Sequence, residues 1–382
     1  MLFRAVLMSA PASLTPNAFL AIKMVVEALS SVERDIVYLG LSESGFYEER
    51  EFNVYLYDPL GSGLGSFDAT DYLLSFSDER PYTGYLDSSS RSISFLGARV
   101  FVGSGYAFDS GRHLLIPQGL GFPFLAVKAG GRAIEALRKI IGGIAFLESP
   151  SGEIYGSDYK DDNILDELRL RIENRLLSLM TRKLILIDGP IFPVPLAYIE
   201  TFGERYRAAF EKLYEERSSL IGRLVGIVKR LEQTYKLYRV EEVRRFFENT
   251  VGGKNIGRIP DPVILSRLAG NKKIYSMGVF KEEFTDLGNR YMIYVYVRSP
   301  SGARVFRVES MDRVALMEVA GYLLKSLSHT GLPIDIEVAD RISRRLSASA
   351  YMALYALGSR SLGVSHDERS RLPLILGEVN EA

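Results

Sequence analysis

Three acidic residues are spaced along the chain so that their carboxylates could share divalent cations. Asp87 ends an extended run and opens a serine-rich turn, and Asp188 ends the apolar run 184–187 and opens a Gly-Pro turn. Glu173 lies on the amphipathic helix predicted before that second run. Hard divalent cations favour carboxylate oxygens. Two such cations about 3.5–4 Å apart can stabilise both oxygens of an in-line phosphoryl displacement. The pattern therefore indicates a two-metal phosphodiester-cleaving site.

Each of these residues also has a structural explanation, which the sequence alone leaves open. Asp87 precedes three serines and is typical of an Asx-turn, in which the carboxylate caps local amides. Asp188 is the sharper candidate, because side chains at the end of a buried strand often face a ligand crevice. Glu173 lies on or beside the buried stripe of its helix, where a carboxylate is costly unless it binds a metal or pairs with Arg171 or Arg175.

Further ligand candidates lie on the same helix and on a later one. Glu167 is the second choice to Glu173, because its angular position on the helix is further from Met180. A fourth ligand is expected from a late helix, where Asp340 is preferred to Asp335 and Glu337. Acidic residues at a helix N-terminus also compensate the helix dipole, with a stabilisation of about 0.3–1 kcal/mol. That alternative stays open for all three late residues.

One basic residue is placed like the two aspartates. Lys229 ends the apolar strand predicted over 220–229, so its ammonium is expected to neutralise a phosphate or the charge that develops near the metals. Basic side chains that alternate with aromatic ones can hold a phosphate backbone and stack bases, although such runs are more often solvated surface. The residues that follow Lys229 in this manner are Arg230, Tyr235, Lys236, Tyr238 and Arg239.

Composition excludes several classes of site. The 382 residues include 47 basic and 47 acidic side chains, so DNA binding would need a local basic patch. The absence of cysteine excludes disulfides, thiolate metal sites and cysteine nucleophiles. The three histidines (His113, His329 and His366) are scattered, which argues against a histidine-rich zinc site. The absence of Cys and Trp beside 22 Tyr is compatible with a thermophilic source.

The chain start and the hydropathy pattern favour a cytoplasmic protein with no membrane contact. The apolar segment 5–10 could pass for a short signal sequence, but its basic start is a single Arg4. Thr15 and Pro16 are typical of a helix cap followed by proline at the first helical position. No apolar stretch reaches the roughly 18 residues that a membrane span needs.

Hydrophobic periodicity predicts an α/β chain with a mixed sheet. Strands are expected at 52–58, 82–86, 92–96, 99–107, 184–187, 220–229, 273–280, 290–298 and 303–308. Helices are expected at 16–33, 131–144, 161–182, 202–217, 240–249, 261–269, 312–328 and 335–357. The segment 108–130 contains several Gly and Pro residues and is expected to be irregular. The glycine-rich segment 61–65 lacks the Gly-Lys-Ser/Thr ending of a phosphate loop and is interpreted as a connector.

Several short segments resemble the NurA family of archaeal and bacterial nucleases. They lie within about residues 82–345 and comprise 86–91, 171–173, 184–190, 224–230, 331–333 and 339–340. The order Asp87, Glu173, Asp188 is that of a ribonuclease-H-like site. The resemblance implies a ribonuclease-H-like mixed-sheet core with surrounding helices and a helical insertion. The implied divisions are an N-terminal extension over 1–80, a nuclease domain over 81–360 with its insertion at about 235–270, and a C-terminal tail over 361–382.

The resemblance also implies an activity, a cofactor and partners. It implies a DNA nuclease that depends on Mn²⁺ or Mg²⁺, forms a homodimer and docks on a HerA-type hexameric ATPase in DNA end resection for recombinational repair. The expected metal ligands are Asp87, Glu173, Asp188 and Asp340, with Lys229 as a further catalytic residue. The apolar N-terminal residues are the candidate contact with the ATPase, although they could equally pack on their own domain; they are Leu2, Phe3, Val6 and Leu7.

One segment departs from the family pattern. The late segment of the family usually carries a tyrosine before the proline and a histidine after the alanine, whereas this chain has Leu332 and Asp340. Aspartate is still an oxygen ligand, so metal binding can survive the change. The departure leaves open a catalytically weak or inactive subunit that clamps DNA and docks on the ATPase. A guide-dependent Argonaute-type enzyme is disfavoured, because the chain has no room for a guide-anchoring domain.

Overall fold

The computed structural model describes residues 14–33, 53–60, 67–76, 81, 83–117, 121–192, 203–232, 234–251, 259–284 and 287–380. Its strands are β1 (Asn53–Leu56), β2 (Thr83–Phe95), β3 (Ala98–Asp109), β4 (Arg112–Ile116), β5 (Leu125–Ala129), β6 (Ala145–Phe146), β7 (Leu184–Asp188), β8 (Leu224–Val228), β9 (Ile274–Phe284), β10 (Gly288–Ser299) and β11 (Gly302–Ser310).

Helices cover the sheet and connect its strands. They are α1 (Pro16–Ser31), α2 (Thr70–Phe76), α3 (Gly131–Ile141), α4 (Asp161–Leu179), α5 (Gly203–Ser218), α6 (Lys236–Arg239), α7 (Glu241–Val251), α8 (Asp261–Ala269), α9 (Arg313–Lys325), α10 (Ile334–Ser361) and α11 (His366–Asn380). A short 3₁₀ turn, Ile221–Arg223, leads into β8. No helix in the described ranges is both long enough and apolar enough to cross a membrane.

All the strands join one mixed sheet in the order β1-β9-β10-β11-β8-β7-β2-β3-β5-β6, with β4 paired to β3. The pairs β2–β7 and β7–β8 are parallel, whereas β2–β3 and β3–β5 are antiparallel. The central order β8-β7-β2-β3-β5 is that of a ribonuclease-H-like core. The predicted fold class is therefore confirmed as a mixed α/β sheet with surrounding helices, and α6 to α8 form the helical insertion. The exact domain boundaries stay a prediction.

The serine-rich segment after Asp87 differs from the prediction. It does not form a turn between two short strands; it lies inside the continuous strand β2, which pairs with β3 from Tyr85 to Phe95. Ladder pairing and side-chain contacts on both faces therefore override the turn preference of serine. Two further strands, β4 and β5, lie in the segment 108–130 that was expected to be irregular.

The two faces of β2 meet different helices. Successive strand side chains point to opposite faces. Ser89 Oγ accordingly lies 3.1 Å from Ser347 Oγ on α10, and Ser88 Oγ donates to Glu173 on α4 at 2.6 Å. The helix α4 can lie close to the sheet because Gly103 and Gly105 have no Cβ. A Cβ at either position would overlap side chains of the helix. The long helices α4 and α10 thus lie on opposite faces of the central strands.

The terminal segments pack on this core. The helix α1 contacts α10 and α3, and β1 pairs with β9 at one edge of the sheet. The helix α2 contacts α9, and α11 contacts α10. The apolar residues between Leu2 and Leu7, and the glycine-rich segment 61–65, lie outside the described residues.

Candidate metal site

The parallel pairing of β2 with β7 places two acidic side chains next to each other. Leu86 lies opposite Ile187 in this pairing, so Asp87 and Asp188 are the next residues along the two strands. Each side chain points to the face of the sheet that is covered by α10. The described pairing of β2 with β7 ends at Leu86, so the sheet is open beside Asp87 at this level. A crevice can therefore form next to the two carboxylates.

A third acidic residue reaches the same point from the late helix. Asp340 lies in the second turn of α10, which begins after Pro333 and packs on β2. One carboxylate oxygen each from Asp87, Asp188 and Asp340 lie within 4.8 Å of one another. Asp87 is 3% exposed, so its charge is almost fully removed from water. Oxygens that converge in this way have the chemistry of a site for a hard divalent cation.

Burial and mutual repulsion disfavour the ionised forms of these carboxyls. Burial, followed by the neighbouring charge of Asp188, raises the pKa of Asp87 to about 8. Burial also raises the pKa of Asp188, although Lys229 opposes this shift. Arg169 on α4 contributes a positive charge that lowers the pKa of both groups, but it does not outweigh burial. Ionisation of the buried carboxyls is therefore not fully compensated by the protein, and a divalent cation would favour their ionised forms.

Lys229 and Ser343 hold two of the carboxylates in place. Lys229 follows β8, and its Nζ lies 2.5 Å from Asp188 Oδ2. Ser343 Oγ donates a hydrogen bond of 2.5 Å to Asp87 Oδ2, and it also contacts the carbonyl oxygen of Asp340 at 3.0 Å. Ser104 on β3 donates to the Ser343 carbonyl at 2.6 Å. The turn of α10 that carries Asp340 is thus attached directly to the central strands.

Glu173 is buried but belongs to a different group of contacts. It accepts hydrogen bonds from Ser88 Oγ at 2.6 Å and from Arg217 Nη2 at 2.7 Å. Arg217 Nε also donates to Asn174 Oδ1 at 2.9 Å. The partner of Glu173 is therefore Arg217 on α5, and not Arg171 or Arg175. Its carboxylate is not among the oxygens that converge within 4.8 Å in the described structure, so its role as a metal ligand stays a prediction.

The rival acidic residues are engaged elsewhere. Glu167 is fully buried and accepts hydrogen bonds from Tyr155 at 2.7 Å and from Tyr159 at 2.5 Å. Asp335 accepts from Tyr322 Oη at 2.8 Å, and Glu337 accepts from Thr330 Oγ1 at 3.3 Å. These contacts assign Glu167 to the core beneath α4 and the two late residues to the start of α10.

The basic run after Lys229 divides between surface and core. Arg230 is exposed, but Lys236 is 2% exposed and forms an ion pair with Glu282. Lys236 therefore cannot contact DNA in this conformation, contrary to the interpretation of the run as a surface. Close to the three aspartates, Arg344 pairs with Asp340 at 2.9 Å while half of its side chain stays exposed.

Three residues around the site were not predicted from the sequence: Ser343, Arg169 and Arg217. Ser343 had a signal, because it lies three residues after Asp340 and therefore on the same face of α10. Arg169 lies four residues before Glu173 and shares a face with it in the same way. No sequence pattern pointed to Arg217, because it is 44 residues from Glu173 and the packing of α5 on α4 brings the two residues together.

Comparison with known families decides where the chain belongs. A family model described as the NurA domain matches residues 86–345, which is more than half of the chain. The chain belongs to the NurA family. No curated protein sequence matches it.

Solved NurA structures resemble the chain at low sequence identity. The NurA nuclease from Sulfolobus solfataricus is 13% identical, with a TM-score of 0.40, and the match covers 74% of this chain and 84% of that one. A NurA structure bound to dAMP and manganese is 11% identical, with a TM-score of 0.33, and 69% and 84% of the two chains are covered. A NurA structure with manganese is 11% identical, with a TM-score of 0.37, and the match covers 72% and 88%.

The raised pKa of Asp87 predicts how stability depends on pH without metal. This pKa is about 8 in the folded protein, compared with an ordinary value of 3.8. Between these values the folded protein keeps a proton that the unfolded chain releases. The free energy of unfolding should therefore fall as pH rises from about 4 to 8, by at most about 1.4 kcal/mol per pH unit from this group.

Urea unfolding of chelator-treated protein at about pH 5 and pH 8 would measure this dependence. Glu167, whose pKa burial raises to about 7, contributes in the same direction, so the Asp87→Asn variant is the necessary comparison. The variant should lose less stability between the two pH values than the wild-type protein. An identical loss in both proteins would show that Asp87 does not titrate as described.

Proposed function

We propose that this chain is a metal-dependent deoxyribonuclease that hydrolyses phosphodiester bonds at the site formed by Asp87, Asp188 and Asp340. The observation that carries the proposal is the convergence of three carboxylates within 4.8 Å in a member of the NurA family. These residues fit a divalent cation, because three carboxylate oxygens converge in a buried place where a bound cation would favour their ionised forms. Mn²⁺ or Mg²⁺ would be held by these three residues, and Glu173 stays a further proposed ligand.

When bound, the metal supplies Lewis-acid stabilisation of phosphoryl oxygens. The chain's own residues position and neutralise the substrate. Lys229 lies at the rim with 24% of its side chain exposed, so its ammonium can reach a phosphate oxygen while it contacts Asp188. Arg344, which pairs with Asp340, adds positive charge at the same place, and the exposed Arg230 follows Lys229 in the chain. They provide the local basic character that a chain with zero net charge needs to hold DNA.

A second candidate function rests on the contacts of Glu173. If Arg217 and Ser88 keep that carboxylate, the site has three acidic ligands, and Asp340 takes the place of the family's usual histidine. Such a site could bind metal and DNA with little turnover. The chain would then act as a DNA-clamping subunit of the partner ATPase. Metal-dependent cleavage of bare DNA by the purified protein separates the two candidates.

Replacing one carboxylate tests the proposed active site. Asp188→Asn keeps the side-chain volume but removes a negative charge, so we expect Mn²⁺-dependent cleavage to fall at least about a hundred-fold, because metal stabilisation of the transition state amounts to several kcal/mol. Folding and DNA binding should be retained. The exposed Asp71→Asn variant on α2 is the matched control and should cleave like the wild type. Full activity of Asp188→Asn with added Mn²⁺ would rule out the proposed role.

Lys229 is tested against a nearby arginine with a different environment. Arg223 donates to the carbonyl oxygens of Arg182 and Met180, so it is held by the backbone that connects α4 to β7. Lys229→Ala should slow cleavage of DNA more than Arg223→Ala, when rates are compared per folded protein at saturating Mn²⁺. Equal small effects of the two substitutions would leave Lys229 as a surface charge with no part in the reaction.

We further propose that the chain acts in the cytoplasm as a homodimer that receives DNA from a HerA-type hexameric ATPase during end resection. A protein with no net charge has little long-range attraction for DNA, so a partner that delivers the strand and a second copy of the site would both help.

Light scattering should give a particle mass of about twice 42.7 kDa. Deletion of residues 1–12 should weaken co-purification with the ATPase and leave metal-dependent nicking unchanged. A stable monomer, or a truncated chain that does not fold, would contradict this arrangement.

A further inference from the structure

A network of five buried charges lies next to the candidate metal site. Its members are at most 2% exposed and come from α6, β9, β10 and β11; they are Lys236, Glu282, Arg290, Arg307 and Glu309. Glu282 pairs with Lys236 and Arg290. Arg290 Nη1 lies 3.1 Å from Glu309 Oε1, and Arg307 Nη2 lies 2.9 Å from Glu309 Oε2.

One member of this network contacts the turn that follows Asp188. The N–H of Ile191 donates to Glu309 Oε1 at 2.9 Å, and the N–H of Gly189 donates to the carbonyl oxygen of Ile227 at 3.0 Å. Gly189 has a φ of 127°, a conformation that side chains rarely permit. The backbone on the C-terminal side of Asp188 is therefore fixed by two hydrogen bonds, one of which ends on a buried carboxylate.

The turn also lies directly on a glycine of β8. A Cβ at Gly226 would come within 2.6 Å of the Gly189 carbonyl oxygen and within 3.1 Å of both Glu309 Cγ and the Ile191 nitrogen. After the turn, Phe192 packs on Phe284 with 5.1 Å between ring centroids. The turn thus packs closely against β8 and β11.

The network is suited to fixing positions. Burial opposes ionisation of Glu309, but the charges of Arg290 and Arg307 outweigh burial and lower its pKa, so the carboxylate is ionised at neutral pH. Buried ion pairs usually stabilise a fold no more than apolar side chains of similar volume would. An ionised acceptor held by two arginines does, however, fix the N–H that it binds, because charge-assisted hydrogen bonds are short and strong.

We propose that Glu309, held by Arg290 and Arg307, is a positioning residue that sets the direction of the Asp188 carboxylate through the turn 189–191. The inference rests on the proposed function, in which Asp188 binds the metal. Side chains that orient metal ligands commonly change metal affinity by about 10- to 100-fold when they are replaced. A change in the Gly226–Gly189 contact should act in the same direction, because it displaces the same turn.

The first test uses two glycines that are four residues apart. Gly226→Ala adds a methyl group that must displace the Gly189 carbonyl, whereas Gly222→Ala adds the same group where nothing lies within 4 Å. Titration calorimetry of the chelator-treated full chain with Mn²⁺ alone should show about ten-fold or greater loss of affinity for Gly226→Ala. Gly222→Ala should bind Mn²⁺ like the wild type. Wild-type affinity in a folded Gly226→Ala protein would overturn the inference.

The second test separates positioning from general stability. Glu309→Leu and Glu282→Leu each remove one buried carboxylate of the same network, but only Glu309 contacts the turn after Asp188. Both variants should unfold at lower urea concentration, and only Glu309→Leu should lose Mn²⁺ affinity. Glu309→Gln keeps an oxygen acceptor for the Ile191 N–H, so this variant should bind Mn²⁺ more tightly than Glu309→Leu does. Equal losses of affinity in the two leucine variants would show that the network acts through stability alone.

Asp188→Asn in the same titration separates the proposed metal site from the positioning role of Glu309. If it binds Mn²⁺ like the wild type, the proposed metal site itself is wrong, and the positioning role falls with it. If Asp188→Asn loses affinity while the Gly226 and Glu309 variants keep it, the metal site stands and only the positioning role is overturned.

Discussion

The repulsion among Asp87, Asp188 and Asp340 is the constraint on which the arrangement around them depends. At an effective dielectric constant of about 20, two unit charges about 5 Å apart repel by roughly 3 kcal/mol. Their oxygens lie within 4.8 Å of one another, so full ionisation of all three would be costly in the absence of compensation. Burial and the neighbouring charges of Asp188 and Asp340 together outweigh the opposing effects of Ser343 and Arg169, so the pKa of Asp87 stays raised. This incomplete compensation is what makes the site fit a cation.

Such a repulsive cluster can persist only if its members cannot move apart. Three independent attachments provide this rigidity. The parallel register of β2 and β7 fixes Asp87 beside Asp188. Ser343 on α10 donates to Asp87 and also contacts the carbonyl oxygen of Asp340, so it fixes the position of both residues. The hydrogen bond from Ile191 to Glu309 holds the backbone three residues after Asp188. Each attachment uses an element that is itself packed in the core. The three carboxylates could therefore separate only if these elements moved as well.

The sequence was sufficient to predict those parts of the site that depend on local pattern. Apolar runs that end in a charged residue marked Asp188 and Lys229, and the expectation of a last ligand from a late helix marked Asp340. The sequence was insufficient where tertiary contacts override local preference. The serines after Asp87 form the middle of β2 because eleven residues pair with β3. The burial of Glu173 was predicted from its helical position, but its partner was not, since Arg217 belongs to another helix.

The pairing of Glu173 bears on how many ligands the metal site has. Removing one partner of a buried ion pair costs about 3–5 kcal/mol, because the other charge is left without compensation. For Glu173 to ligate a metal, its carboxylate would have to leave Arg217 or share its oxygens with it, and Ser88 would lose its acceptor. Asp340 carries no such cost, since its partner Arg344 is half exposed and can be solvated. The contacts therefore favour a first cation held by the three aspartates, while any contribution of Glu173 would require rearrangement of the α4–α5 contact.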